Sequence, residues 1–351
     1  MIEDSKTYQE DILKVASGSI PFDKLKNKTV MITGSCGLIG SFIVDVLMKR
    51  NEISDDNITV VAYDFRIENI RNRFSKYLNN KNFKYICQDV NLPLHYEEKV
   101  DFIMHLASNA HPALFKTDPV GTIKANIVGL MNLLDYARDN NVLRVLYTST
   151  GEVYGEADAS VKEFDENFSG YVNPDLARSC YPSSKRCAET LCVSYTEQYG
   201  VSTVIARPCH VYGPTMTKND SRVYAEFIRN VLHGEDIVLK SEGKPIRSYC
   251  YVSDAASAFL YILLCGEDKN AYNIANKDSI VSIREMAEVI ARIGGKKVVF
   301  DIPKDIPSNA NPMQCGVLNA EKLESLGWHG MYDINKGYEN TIQILKEVNY
   351  E

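Results

Sequence analysis

From Thr29 onward, short runs of β-branched and apolar residues alternate with longer stretches whose apolar positions recur at helical spacing. Runs of the first kind predict buried strands, and stretches of the second predict helices. Strands are predicted at 29–33, 58–63, 83–87, 102–106, 142–148 and 203–206. A helix opens at Ser41, and further helices are predicted at 122–139 and 188–199. Strands and helices in alternation over this length imply an α/β fold, a Rossmann-type doubly wound parallel sheet.

After Pro208 the rhythm weakens. Residues 222–232 and 253–265 read as helices and 237–240 as a strand. A helix at 282–293 is opened by Ser282, with Glu285 three positions later as in a capping box. The expected organisation is a polar N-terminal lead-in at 1–27 with one short helix, and a dinucleotide-binding domain from 28–208 plus 237–271. A smaller C-terminal substrate-binding domain is expected from 209–236 plus 272–351.

Composition narrows the class. The chain has 351 residues, 45% hydrophobic and 24% charged, which suits a globular protein with a sizeable core. Its 39 basic and 46 acidic residues leave a net charge of −7, and no Lys/Arg block stands out, so nucleic acid is not an expected partner. Nine cysteines without a C-x-x-C pair read as reduced thiols, not as a zinc site. Residues 1–19 lack an apolar signal core, and the run 255–265 is too short to cross a bilayer. A cytoplasmic protein with no membrane partner and no metal is expected.

The candidate chemistry lies after the strands. Gly34-Ser35-Cys36-Gly37-Leu38-Ile39-Gly40 follows the first strand and opens a helix. Glycines there allow a tight turn and close approach of a pyrophosphate, and the helix N-terminus offers N–H donors. Asp64, ending the second strand, suits both hydroxyls of a ribose and would repel a 2′-phosphate, favouring NAD over NADP. Arg66, two residues on, keeps NADP open. Gln88-Asp89-Val90 follows the third strand, where the Asp89 carboxylate is a candidate for an adenine amino group. Tyr147-Thr148-Ser149-Thr150-Gly151-Glu152-Val153-Tyr154-Gly155 puts hydroxyls at the carboxyl edge of the sheet. Tyr181 and Lys185, four apart, project from one helical face. A free tyrosine titrates near pH 10, and a neighbouring ammonium brings it towards service as a base.

Gly34/Gly37/Gly40, the Ser-Thr-x-Glu-Val-Tyr-Gly stretch and Tyr181-x-x-x-Lys185 together resemble the extended short-chain dehydrogenase/reductase family over residues 28–293. That family includes nucleotide-sugar epimerases, 4,6-dehydratases and decarboxylases. Within it the chain looks most similar to UDP-glucuronate decarboxylases. His105-Leu106-Ala107-Ser108, Asp118-Pro119 with Asn126, Asn173-Pro174, Arg178-Ser179-Cys180-Tyr181 and Arg247-Ser248-Tyr249 carry that likeness. Three positions depart from it: Gly151 in place of Ser or Asp, His210 in place of Asn, and Ser183-Ser184 in place of a more acidic or Gly-containing pair.

The resemblance implies a catalytic set of Tyr181, Lys185, Thr150 and Glu152. It implies an NAD site of Gly34, Cys36, Gly37, Leu38, Ile39, Gly40, Asp64, Arg66, Asp89, Val90, Leu106, Ala107, Ser108, Asn126, Thr148, Tyr181, Lys185 and Pro208. It implies a substrate site of Ser149, Thr150, His210, Arg222 and Arg247, the two arginines facing the diphosphate of a nucleotide sugar. Arg178 is read either as a substrate contact or as a loop anchor. His111 is a further candidate to approach the sugar, whereas His95, His233, His329 and Trp328 read as surface or packing residues. The expected reaction is transient C4 oxidation of a nucleotide sugar, foremost decarboxylation of UDP-glucuronate to UDP-xylose. A 4-epimerase, a 4,6-dehydratase and a silent NAD-binding protein are the alternatives. Relatives suggest a homodimer by analogy.

Overall fold

Seven mostly apolar strands pair in parallel into one large sheet, in the order β10-β6-β5-β4-β1-β2-β3. They are β1 (Thr29–Thr33), β2 (Thr59–Asp64), β3 (Phe83–Cys87), β4 (Phe102–His105), β5 (Arg144–Thr148), β6 (Thr203–Pro208) and β10 (Ala271–Ile274). The computed structural model describes residues 2–158, 160–217, 220–303 and 315–349. The order reverses between β1 and β4, which makes the carboxyl ends of those two strands the binding crevice of such a sheet.

The helices are α1 (Lys6–Ala16), α2 (Leu38–Ile53), α3 (Ile67–Arg73), α4 (Pro112–Thr117), α5 (Pro119–Asp139) and α6 (Cys180–Tyr199). After them come α7 (Val223–Leu232), α8 (Val252–Cys265), α9 (Ile283–Gly294), α10 (Glu321–Glu324) and α11 (Ile334–Glu347). Two apolar cores flank the large sheet. One gathers α1, α2 and α8, and the other lies under α5 and α6. Ser282 and Glu285 form the expected capping box of α9.

The smaller strands are β7 (His210–Tyr212), β8 (Ile237–Leu239), β9 (Ile246–Tyr251), β11 (Ile280–Ser282), β12 (Val298–Phe300) and β13 (Cys315–Gly316). Here the organisation differs from the one expected. β8 pairs with β12, and β9 pairs with β7, β11 and β13, so the segment from 237 to 251 lies off the large sheet. The chain returns with α8, and β10 pairs with β6, which carries the large sheet past the expected boundary at 271. Periodicity identifies a strand without saying which sheet it joins.

The N-terminal segment is likewise more than a lead-in. Ser5 caps α1 by accepting the Tyr8 N–H, and Tyr8, Ile12, Val15 and Ala16 are buried. Asp11, also buried, accepts hydrogen bonds from Tyr332 (2.7 Å), Asn340 (2.9 Å) and Tyr251. Three segments remote in sequence thus meet on one carboxylate.

Candidate active site

The Gly-rich loop sits in the β1/β4 crevice because side chains cannot. Gly34 has φ +64°, and a Cβ there would approach the Ala107 nitrogen to 2.8 Å. A Cβ at Gly40 would lie 2.5 Å from the Gly34 carbonyl oxygen, so the helix packs on the loop only with glycine at that place. Gly37 is the N-cap of α2 and brings no side-chain acceptor. The first N–H groups of a 16-residue helix therefore face the crevice, a site built for an anion.

Asp64 is buried at the end of β2. One carboxylate oxygen accepts the Cys36 N–H at 3.2 Å, and the other has no protein partner. A buried carboxylate oxygen without a donor fits a ribose hydroxyl. Thr148 Oγ1 and Ser149 Oγ are also buried without partners, at the end of β5. These orphaned acceptors, the crowded glycines and the open helix end together fit a dinucleotide.

A cavity of about 340 Å³ runs from this loop to β7 and residue 318. Gly34, Gly37, Leu38, Ile39 and Gly40 line one end, with Leu106, Ser108, Thr148, Lys185 and Pro208 beside them. Tyr181, Thr150 and Glu152 line its middle, and His111, His210 and Arg222 its far end.

The Tyr181/Lys185 pair occupies the first turns of α6. Pro182 is tolerated there because an N–H in the first turn has no helical acceptor. Lys185 Nζ donates to the Thr148 carbonyl at 2.7 Å and lies 5.6 Å from the centre of the Tyr181 ring. Burial pushes Lys185 down to about 7. Burial and then the Glu152 carboxylate push Tyr181 above the usual tyrosine range, while a hydrogen bond with Thr150, Arg222 and Arg178 act in the opposite sense. In the protein alone, therefore, burial and Glu152 outweigh the groups that favour the phenolate. Thr150 caps the turn Gly151–Tyr154 by accepting the Glu152 N–H at 3.2 Å. Glu152 accepts from Arg178 at 2.7 Å, a contact of the kind a loop anchor makes.

At the far end, Arg222 is held by Asp220, which accepts its Nε at 2.9 Å and its backbone N–H at 3.0 Å. Tyr224 donates to the same carboxylate at 3.0 Å. Arg247 is buried and does not line the cavity. It donates to the Ile246 carbonyl, and its stem lies where a Cβ on Gly316 would come within 2.7 Å. His210 opens onto the cavity with its ring 5.5 Å from that of Tyr249. Desolvation by the surrounding cavity wall, then the Arg247 and Arg222 charges, push its imidazole down to about 4.

Several predicted residues stand outside the cavity wall. Cys36 and Ala107 contribute backbone to the loop and crevice, and Ser149 is buried off the cavity wall. Arg66 is exposed and stacks on its neighbour Phe65. Asp89 is exposed and accepts the Asn91 N–H at 2.9 Å, and Val90 packs where a Cβ on Gly129 would clash. Asn126 is a brace: it accepts from Ser108 Oγ at 2.8 Å and donates to Ser184 Oγ at 2.9 Å, tying the β4 end to α6. Trp328 is buried and donates to Ser257, as a packing residue should.

Sequence reasoning missed Phe115, Phe164, Asp220 and Leu318 on the cavity wall. Leu318 is 3.2 Å from the position of a Cβ on Gly151, so an apolar side chain faces that glycine. Only Asp220 left a sequence signal, its spacing two residues before Arg222. Among the described residues no group of His, Cys, Asp and Glu is arranged to hold a metal.

Residues 30–275 match the NAD dependent epimerase/dehydratase family. UDP-glucuronic acid decarboxylase 5 of Arabidopsis thaliana is 35% identical over 89% of this chain and 87% of its own length. UDP-glucuronic acid decarboxylase 1 of Xenopus tropicalis is 34% identical over 91% of this chain and 72% of its own. The fold is that of UDP-glucose 4-epimerase from Thermotoga maritima, solved with UDP-glucose (TM-score 0.76, 23% identity, 92% of this chain and 99% of that one). It is equally that of dTDP-glucose 4,6-dehydratase from Streptomyces venezuelae, solved with NAD (TM-score 0.77, 23% identity, 91% and 97%).

Proposed function

The chain belongs to the NAD-dependent epimerase/dehydratase family, and on that premise we propose that it decarboxylates UDP-glucuronate to UDP-xylose by transient oxidation at C4. The observation that carries this reading is the convergence of Tyr181, Thr150, Lys185 and Glu152 on the cavity that also receives the Gly-rich loop.

Bound NAD would supply the hydride acceptor for oxidation at C4 and the hydride donor for the later reduction. Tyr181 removes the O4 proton, and Thr150 orients O4 for that transfer. Lys185 would hold the nicotinamide ribose. Oxidation leaves the carboxylate β to a ketone, so CO2 departs and the C5–C6 bonding pair stays behind, delocalised into an enolate. Glu152, held by Arg178, handles the proton that returns to C5. Arg222, fixed by Asp220, meets the diphosphate with a planar fork, and Arg247 reinforces the positive field behind it.

A second reading, 4-epimerisation, draws support from Gly151. The wall there is glycine faced by Leu318, with neither hydroxyl nor acid. Inversion at C4 needs only Tyr181, Thr150 and Lys185 plus rotation of the keto sugar. The same wall argues against dehydration, which needs an acid for the leaving hydroxyl. Incubation with UDP-glucuronate, followed by CO2 capture and NMR of the sugar, tests the proposal. UDP-xylose with one CO2 per turnover is expected, and a C4-inverted uronate without CO2 would overturn it.

The half-exposed apolar side chains Val120, Ile123, Val128 and Met131 along α5 support a homodimer formed through α5 and α6. Free thiols at the eight cysteines whose side chains are described suit a reducing compartment, which supports a cytoplasmic location. Among the described residues no helix is long and apolar enough to cross a membrane.

A further inference from the structure

Phe115 is carried on α4, far in sequence from the residues of the proposed chemistry. Its ring nevertheless lies nearly flat on the Tyr181 ring, 4.5 Å between centroids and 19° from parallel. The Arg178 guanidinium carbon sits 4.7 Å from the centre of the Phe115 ring. The same guanidinium donates to Glu152 at 2.7 Å. Cys180, beside Tyr181, closes the arrangement with its thiol 3.9 Å from the Phe115 carbonyl. Tyr181, Phe115, Arg178 and Glu152 thus form one continuous chain of contacts at the wall of the cavity.

A planar guanidinium can lie flat on an aromatic face and present a fixed fork to a carboxylate at once, a geometry that an ammonium on a flexible stem does not fix. We propose that Arg178 is a positioning residue that sets two reacting groups together: it clamps the Glu152 carboxylate directly and, through Phe115, holds the Tyr181 ring in place. The inference rests on the reading of Tyr181 as the base. It also has an electrostatic side. Glu152, Arg178 and Arg222 are the charges that bear on Tyr181, with the Thr150 hydroxyl bonded to it, Lys185 over its ring and the Tyr147 phenol nearby. Removing Arg178 deletes a cation and leaves Glu152 unopposed, and both changes make the phenolate harder to form.

The test uses the full chain loaded with NAD. Arg178→Ala should lower kcat about tenfold with KM within about threefold, and move the acid limb of the pH profile up by about one unit. Arg178→Lys should restore the acid limb, because it keeps the charge, while kcat stays about threefold low for want of the planar stack. A readout free of turnover is the NMR signal of the Tyr181 ring in protein labelled at tyrosine, identified by its loss in Tyr181→Phe. Phe115→Leu should move that signal by removing the ring current, and Arg178→Ala should move it in the same direction. A kcat within twofold of the parent with the acid limb unmoved in Arg178→Ala, or an unmoved Tyr181 signal in that variant, would overturn the proposal. Should the parent protein turn over no nucleotide sugar, the proposed function fails by itself, and the ring signal still decides the role of Arg178.

Discussion

Asp64 accepts the Cys36 N–H at 3.2 Å with one carboxylate oxygen and leaves the other buried and unpaired. One oxygen thus fixes the Gly-rich loop while the second waits for a donor. Asp64→Ala should weaken NAD binding by about 10- to 100-fold, the value of one or two hydrogen bonds to a charged acceptor. It should also narrow the preference for NAD over NADP, because the charge that repels a 2′-phosphate is gone. Titration of the cofactor-free protein with each dinucleotide measures both. An unchanged NAD affinity would mean that the orphaned oxygen has no part in cofactor binding.

Tyr181→Phe removes the phenol that shares the cavity wall with Thr150. Turnover of the nucleotide sugar should fall by about three orders of magnitude, the range of a lost general base. NAD content should stay at the parental level, since the ring and its stack on Phe115 remain. Activity near the parental rate would require a different base.

How much of this was legible beforehand follows from how local each signal is. The Gly-rich loop is readable because three glycines between a strand and a helix have one economical explanation, and Gly34 and Gly40 each prove unable to carry a Cβ. The Tyr181/Lys185 pair is readable because four residues of helix bring two side chains to one face. Helix α1 was under-read, although Tyr8, Ile12, Val15 and Ala16 carry its apolar spacing, because a polar composition masked one short stripe. The Asp11 cluster was beyond reach, since its partners lie more than 200 residues away. The same holds for Phe164 and Leu318, which meet through an isolated bridge, and for Phe115, which nothing in its own segment ties to Tyr181.

Asp220 offers a way to disturb substrate binding through Arg222. It is buried and holds Arg222 by the side chain and backbone together, with Tyr224 as a third donor. Asp220→Asn keeps the shape but cannot accept from every one of these donors. KM for the nucleotide sugar should rise about tenfold with kcat within about threefold, the pattern of lost uniform binding. Steady-state kinetics at fixed NAD checks it. A fall in kcat at constant KM would place Arg222 in the chemical step instead.

Asp254 ties the stability of the fold to pH. It is fully buried on α8 and accepts the N–H groups of Met331 (2.8 Å) and Tyr332 (3.2 Å) and the Asn276 amide (3.0 Å). Burial nonetheless outweighs these donors and pushes its carboxyl up to about 6, against 3.8 for the free side chain. The folded state therefore keeps a proton that the unfolded chain has released between those two values. With the folded value raised, the contribution of Asp254 is full below about pH 4 and is lost as pH rises through about 6. The difference of about two units corresponds to about 3 kcal/mol. Urea unfolding at pH 4, 5, 6 and 7, run on the parent and on Asp254→Asn, isolates this group from the other carboxylates. The stability of the parent relative to the variant should decline by that amount from the lowest pH to the highest. A difference that stays level across the window would show that the three donors, and not burial, govern the Asp254 carboxyl.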